Sequence, residues 1–281
     1  MPSVEWNSQE WNEAYDWSER GDEWSKAWGR PRTQWLTVIW PRIEPFLPCS
    51  TLLEIAPGFG RWTQFLLPSS TTYIGIDLSA RCVEACKSRF SGQSHASFYQ
   101  NDGRRLVHVA DGSVDFAFSF DSLVHVEIDV IEAYLGELGK KLAPDGVAFL
   151  HHSNLAYYLG NVGAQFARSP RFEQAMHRRQ QVRPLAGVKH ALFGWQNNRG
   201  LTVSASRAAE SARRAGLVCI SQELITWGTR HILIDCLSTF VRPTSRCQRA
   251  FRIEKNPLFM AASKCSRVVD HLYHSGSATP G

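Results

Sequence analysis

The stretch Leu52-Leu53-Glu54-Ile55-Ala56-Pro57-Gly58-Phe59-Gly60-Arg61 decides the fold. It reads as an apolar strand ending in an acid, then a tight glycine loop, then the start of a helix. Gly58 and Gly60 carry no Cβ, so the backbone there can come close to a ligand. The helix that follows offers free N–H groups at its first turn. A second stretch, Ile74-Gly75-Ile76-Asp77, is a strand ending in a carboxylate, 17 residues after Gly60. A carboxylate in that place can accept hydrogen bonds from both hydroxyls of a ribose. Ser79 is better placed than Asp77 to cap the next helix. Together the two stretches predict a nucleoside-containing cofactor. The dinucleotide fingerprint G-x-G-x-x-G is incomplete, because Thr63 fills its last position. Glu54 would also repel a pyrophosphate, whereas it suits a cofactor bearing an ammonium and a sulfonium.

Working outward, strand and helix patterns alternate. Strands are expected at 51–55, 72–76, 96–100, 114–119 and 146–151, with helices at 61–67, 80–90 and 130–142. That rhythm implies a parallel sheet with helices on both faces. Residues 155–200 break it and read as an inserted substrate cap. A helix at 204–215 and two strands, 217–226 and 231–241, joined through a turn at Gly228, make an antiparallel pair. The expectation is an α/β Rossmann-like fold with a seven-stranded, mostly parallel sheet and an antiparallel last strand. Three parts are expected: an N-terminal helical cap at 1–47, a cofactor-binding domain at 48–242, and a helical appendage and tail at 243–281. Seven of the ten tryptophans lie in the first part, and the spacing of Trp17, Trp24, Trp28 and Trp35 suits one helical face. Such an aromatic cap can pack at its edges and cover a ligand at its centre.

Composition narrows the class. Hydrophobic residues make up 43% and charged residues 20%, which allows a packed core. No apolar run is long enough for a membrane span. The first residues, with Glu5, Glu10, Glu13 and Asp16, do not resemble a secretory signal. The seven cysteines are odd in number and without a CxxC, which fits reduced thiols in the cytoplasm and no zinc site. The net charge of +5 is mild, and its C-terminal excess reads as a solvated face. Metal binding is not expected, although Asp121, Glu127 and Asp129 are close in sequence. Oligomeric state is left open.

From Leu52 to Phe149 the chain resembles the class I S-adenosylmethionine-dependent methyltransferases. Their acid and glycine loop match Glu54 to Gly60, with Ala56 standing where the first glycine is often found. Their ribose acid matches Asp77, followed by Leu78, and their adenine-contacting acid matches Asp102, followed by Gly103. The fourth-strand segment Asp115 to Asp121 matches the part that lines the methionine end, with Phe120 and Asp121 nearest. The turn Ala143-Pro144-Asp145-Gly146 completes the series. Shorter segments, Ser122 to Glu127, His151 to Asn154 and Asp235 to Ser238, resemble bacterial methyltransferases of sugar and polysaccharide biosynthesis. Trp28-Gly29 resembles a Trp-Gly that folds over the cofactor in related enzymes.

The resemblance implies S-adenosylmethionine as cofactor and methylation of a sugar or glycan-type hydroxyl. Such a hydroxyl is a poor nucleophile, so a base is expected, and histidine is the best-matched type. His125 after the fourth strand ranks first, then His152, then His151; adjacent strand residues face opposite sides, so only one of the last two can serve. Glu127 is expected to orient His125 or bind a substrate hydroxyl. Asn154, Tyr157, Trp195 and Arg199 are candidate substrate contacts, and Arg179 or Arg183 would suit a phosphate on the acceptor. Rival readings are a methyltransferase acting on nitrogen or RNA, and a non-catalytic subunit that binds a partner. The intact set Glu54, Gly58, Gly60, Asp77 and Asp102 argues against the latter. The mild charge argues against nucleic acid.

Overall fold

A computed structural model describes residues 3–158, 199–227 and 232–273. Eight strands form one sheet in the order β3-β2-β1-β4-β5-β7-β6-β8. They are β1 (Cys49–Ile55), β2 (Ser70–Asp77), β3 (Ala96–Gln100), β4 (Val114–Ser119), β5 (Leu142–Ser153), β6 (Val218–Ile225), β7 (Asp235–Val241) and β8 (Arg252–Asn256). β7 alone runs against its neighbours, pairing antiparallel with β5 and β6. The sheet was expected to have seven strands; the eighth, β8, pairs parallel with β6 in a segment expected to be helical. Its sequence, Arg-Ile-Glu-Lys-Asn, has no buried face, so the two-residue alternation that marks a strand is missing. Helix Phe259–Tyr273 follows it.

Alternation along each strand sorts side chains into two cores. Leu52, Phe116, Phe118, Val147 and Phe149 face one layer. Leu53, Ala117, Ala148 and Leu150 face the other. The second layer is covered by helix Ile128–Lys141, whose Ile131, Tyr134, Leu135 and Leu138 recur at helical spacing, and by helix Ala205–Arg214 through Ala208 and Ala212. Those two helices lie close: a Cβ on Gly139 would sit 2.3 Å from the Ala215 carbonyl oxygen.

The N-terminal segment covers the first layer. It is not one continuous helix. Helix Val4–Gln9 passes into a wider turn at Glu10–Ala14, then a 3-10 helix at Asp22–Trp28 and short helices at Pro31–Gln34 and Trp40–Ile43. Gly21 (φ 81°) and Gly29 (φ 94°) reverse the path, and Pro31 restarts the helix. The tryptophans therefore divide into two groups rather than sharing a face. Trp28 and Trp35 pack into the core with Val38, Ile39 and Ile43. Trp11, Trp17 and Trp24 cluster beside the ends of β1 and β4, with ring centroids 5.6 to 6.0 Å apart. Between these two strands the sheet order reverses direction, and a crevice opens at their C-terminal ends. Of the expected insertion at 155–200, residues 159–198 lie outside the described residues, as do Trp195, Arg179 and Arg183.

This division predicts different costs for two tryptophans. Trp28→Ala empties a fully buried site and should lower the unfolding free energy by about 3–5 kcal/mol. Trp11→Ala, only partly buried, should cost well under half of that. Equilibrium denaturation in urea measures both, and equal losses would contradict the division.

Candidate active site

The loop after β1 is shaped by three positive φ angles: Ala56 at 59°, Gly58 at 59° and Gly60 at 83°. Ala56 bears a left-handed conformation that costs an L-residue about 1–2 kcal/mol. Its N–H donates to the Ile76 carbonyl at 2.7 Å, which ties the loop to the end of β2. Gly60 is needed for packing, since a Cβ there would lie 2.4 Å from the Phe90 ring. Gly58 lies directly under Trp17, whose ring would be 3.1 Å from an added Cβ. Trp17 also stacks on Phe59 at 4.4 Å and 1°.

Two acids stand behind the loop. Asp77 accepts from the Gly58 N–H at 3.0 Å and the Ser79 N–H at 2.8 Å. Burial raises its pKa to about 6, against the lowering effect of those N–H groups. Ser79 caps helix Ala80–Arg89 by accepting from the Cys82 N–H, so Asp77 is not used as the cap. Glu54 is wholly buried and accepts from the Tyr73 hydroxyl and from Thr63 at 2.7 Å. Burial raises it to about 7 although both hydroxyls favour the ionised form. Thr63, the residue that spoils the dinucleotide fingerprint, is thus the one that ties the helix after the loop to Glu54.

A cavity of about 90 Å³, partly open to solvent, lies over this loop. Its floor is Ala56, Pro57, Gly58, Phe59, Asp77 and Leu78; Gly103, Phe120, Asp121 and His125 line its sides. Trp11, Trp17 and Trp24 cover it. The donor set fits a nucleoside sulfonium: the Asp77 carboxylate suits a ribose diol, and aromatic faces attract a cation without adding a charge. The Asp102 carboxylate turns outward, accepting from the Arg104 and Arg105 N–H groups and from Arg105 Nε at 2.6 Å. Trp28 belongs to the core, with Trp227 and Phe259 against it.

From the cavity wall a chain of alternating charge runs inward. Arg61 Nη2 pairs with Asp121 at 2.6 Å, and its guanidinium lies 5.1 Å from the Trp24 ring and 4.3 Å from the Trp62 ring. Burial works to raise the Asp121 pKa, but Arg61 and His151 hold it at about 2. The Asp121 N–H donates to His151 Nδ1 at 3.1 Å, which places the neutral ring's proton on Nε2. His151 Nε2 lies 3.3 Å from Asp235, which pairs with Arg199 at 2.7 Å. Burial alone would lower the His151 pKa; the two carboxylates reverse this and raise it.

The other residues expected in the site are dispersed. His125 reaches the cavity wall, with its ring 5.5 Å from Trp11 and its carbonyl accepting from Asn7 at 2.8 Å. His152 points to the other side of β5 and bonds the Ser153 carbonyl and Ser238 Oγ, each at 2.8 Å; burial lowers it to about 4. Glu127 is bound to the Leu201 and Thr202 N–H groups and the Thr202 hydroxyl. Asn154 is buried between the Leu233 carbonyl and the Ala205 N–H, and Tyr157 is exposed. Sequence reasoning did not single out Arg61 or Trp227 as site residues, nor Asp235 beyond its segment. Arg61 follows Gly60 directly, which was the available signal; Asp235 had none beyond its motif.

Residues 52–146 match the family model of a methyltransferase domain. No curated protein matches the sequence. Among solved structures, the chain is similar to a protein from Pyrococcus horikoshii OT3, at 15% identity over 83% of this chain and 95% of that one, with a TM-score of 0.51. It is also similar to a SAM-dependent methyltransferase from Methanosarcina mazei, at 15% identity over 73% and 98% of the two chains, with a TM-score of 0.50. At these identities the likeness shows the fold. The domain match makes this chain a methyltransferase, with S-adenosylmethionine as its cofactor.

Asp77 gives a pH prediction. Only the ionised carboxylate accepts from both ribose hydroxyls, and its raised pKa is about 6. Calorimetric affinity for S-adenosylmethionine should be steady above pH 7 and fall as the pH drops through 6. Asp77→Asn should bind at least about tenfold more weakly at pH 7.5, with that pH dependence lost. Wild-type affinity that stays flat from pH 8 to 5 would contradict the assignment.

Proposed function

We propose that the enzyme transfers a methyl group to a hydroxyl of a sugar or glycan-type small molecule, with a histidine as general base. What supports this most is convergence: of the three segments that resemble sugar methyltransferases, the first lines the cavity and the other two join it through the Asp121 backbone and the β5–β7 register. Ser122 and His125 line its wall after β4. His151 bonds the Asp121 backbone, and Ser153 pairs in register with Asp235.

When bound, S-adenosylmethionine supplies an electrophilic methyl group on a sulfonium. Asp77 would hold the ribose, and the backbone of Phe120 and Asp121 would line the methionine end. Trp11, Trp17 and Trp24 exclude water, which protects the donor and strengthens charge interactions inside. Alignment of the acceptor contributes about 7–11 kcal/mol to rate enhancement in such displacements. His125, on the wall, takes the hydroxyl proton. His151 has its Nδ1 committed to a backbone N–H, so its part is to hold Asp121 and Asp235. An RNA acceptor has weaker support, since Arg242 donates to the Leu142 and Lys140 carbonyls and Arg246 pairs with Asp145.

The test is S-adenosylhomocysteine release with hexoses, nucleotide sugars, amines and short RNAs as acceptors. Turnover is expected with the hydroxylated sugars. His125→Gln should lower kcat by about 10²- to 10⁴-fold while changing cofactor affinity little. Turnover confined to amines or RNA, or a His125→Gln enzyme as fast as wild type, would overturn the reading.

A further inference from the structure

Asp235 begins β7 at the edge where β4 and β5 end, and its side chain is wholly buried. Oδ2 lies 2.7 Å from Arg199 Nη2 and 3.3 Å from His151 Nε2 as an ion pair, yet neither carboxylate oxygen accepts an aligned hydrogen bond. Nearby donors are equally unused: His151 Nε2, Arg199 Nε and Trp227 Nε1 have no hydrogen-bond partner. These groups form one cluster. The His151 ring lies 6.0 Å from Trp227 at 20°, and the Arg199 guanidinium lies 5.9 Å over the same ring. His151 joins the cluster to the cavity wall, 3.3 Å from Asp121.

Buried polar atoms without partners are rare and cost about 1–3 kcal/mol each. Five on adjoining residues, both Asp235 oxygens among them, beside the cavity of a methyl donor, call for a ligand. Charge says which kind. With the His151 ring neutral, as its Nδ1 accepting from the Asp121 N–H requires, Arg199 cancels Asp235 and Arg61 cancels Asp121, so the cluster has little net charge for an ammonium or a phosphate to answer. It offers a carboxylate as acceptor and several N–H groups as donors. The complement is a group that both donates and accepts, and neighbouring hydroxyls do so. An indole face beside them suits the apolar side of a sugar ring.

We infer that Asp235, with His151, Arg199 and Trp227, forms the acceptor subsite, where Asp235 Oδ1 accepts from a hydroxyl of an uncharged polyol. This rests on the sugar reading above and names the residues that select the acceptor. Arg199 Nε and Trp227 Nε1 donate to the polyol's oxygens. Asp235 orients the acceptor, and the proton still leaves through His125.

The test is an NMR titration of the full chain, saturated with S-adenosylhomocysteine, with methyl hexopyranosides and matched deoxy analogues. The Trp227 indole N–H signal is assigned with Trp227→Phe. A saturable shift of that signal is expected in wild type, weakened about tenfold or more in Asp235→Asn, which keeps the side-chain shape. In wild type, at least one deoxy analogue should bind weakly by the same margin, a result that needs no folded variant. If the sugars shift the Trp11 indole but not that of Trp227, the subsite is wrong and the sugar reading survives. If no sugar moves any indole signal, both fall.

Discussion

The buried ion pair between Arg61 and Asp121 is the contact on which the site depends. At 2.6 Å, with side chains only 5% and 12% exposed, it bridges the crevice between the β1 loop and the end of β4. Breaking such a pair from one side costs about 3–5 kcal/mol, because the remaining charge stays buried. The pair does more than close the crevice. Trp24 from the N-terminal segment and Trp62, the next residue along the chain, flank the guanidinium, so the cap is fastened to the same cation. Asp121 in turn holds His151 through its backbone N–H, although its own φ of 66° is a strained value.

The cap and the acids behind it make one electrostatic design. The cover is aromatic, and the guanidinium beneath it is neutralised by Asp121. Glu54 and Asp77 sit behind the loop with pKa values raised by burial to about 7 and about 6. Neither acid has a cationic side chain hydrogen-bonded to it. The two acids disfavour an anionic pyrophosphate behind the loop, and the aromatic side suits a cation.

Much of this was readable in the chain, for local reasons. Strand β4 follows its apolar run residue for residue, and β1, β2 and β5 extend theirs by a few positions. Ser79 was recognisable as the cap that frees Asp77, because both roles are decided within three residues. What was hidden depends on distance. Strand β8 has no buried face to announce it. Trp24 and Trp28 look alike in sequence, yet Gly21 and Gly29 send one to the cavity and the other to the core. Glu127 sits near His125 in the chain but bonds Leu201 and Thr202 instead. The meeting of Asp235 with His151 follows from β5 pairing antiparallel with β7, a register that no local pattern specifies.

The central claim is that the N-terminal aromatic segment closes over S-adenosylmethionine held by the Gly58 loop. Hydrogen exchange with and without the cofactor tests it most directly. The account predicts slower exchange at residues 4–28 together with 56–63 and 77–82, and no such change with NAD. Protection of the loop alone, with residues 4–28 exchanging as before, would contradict it.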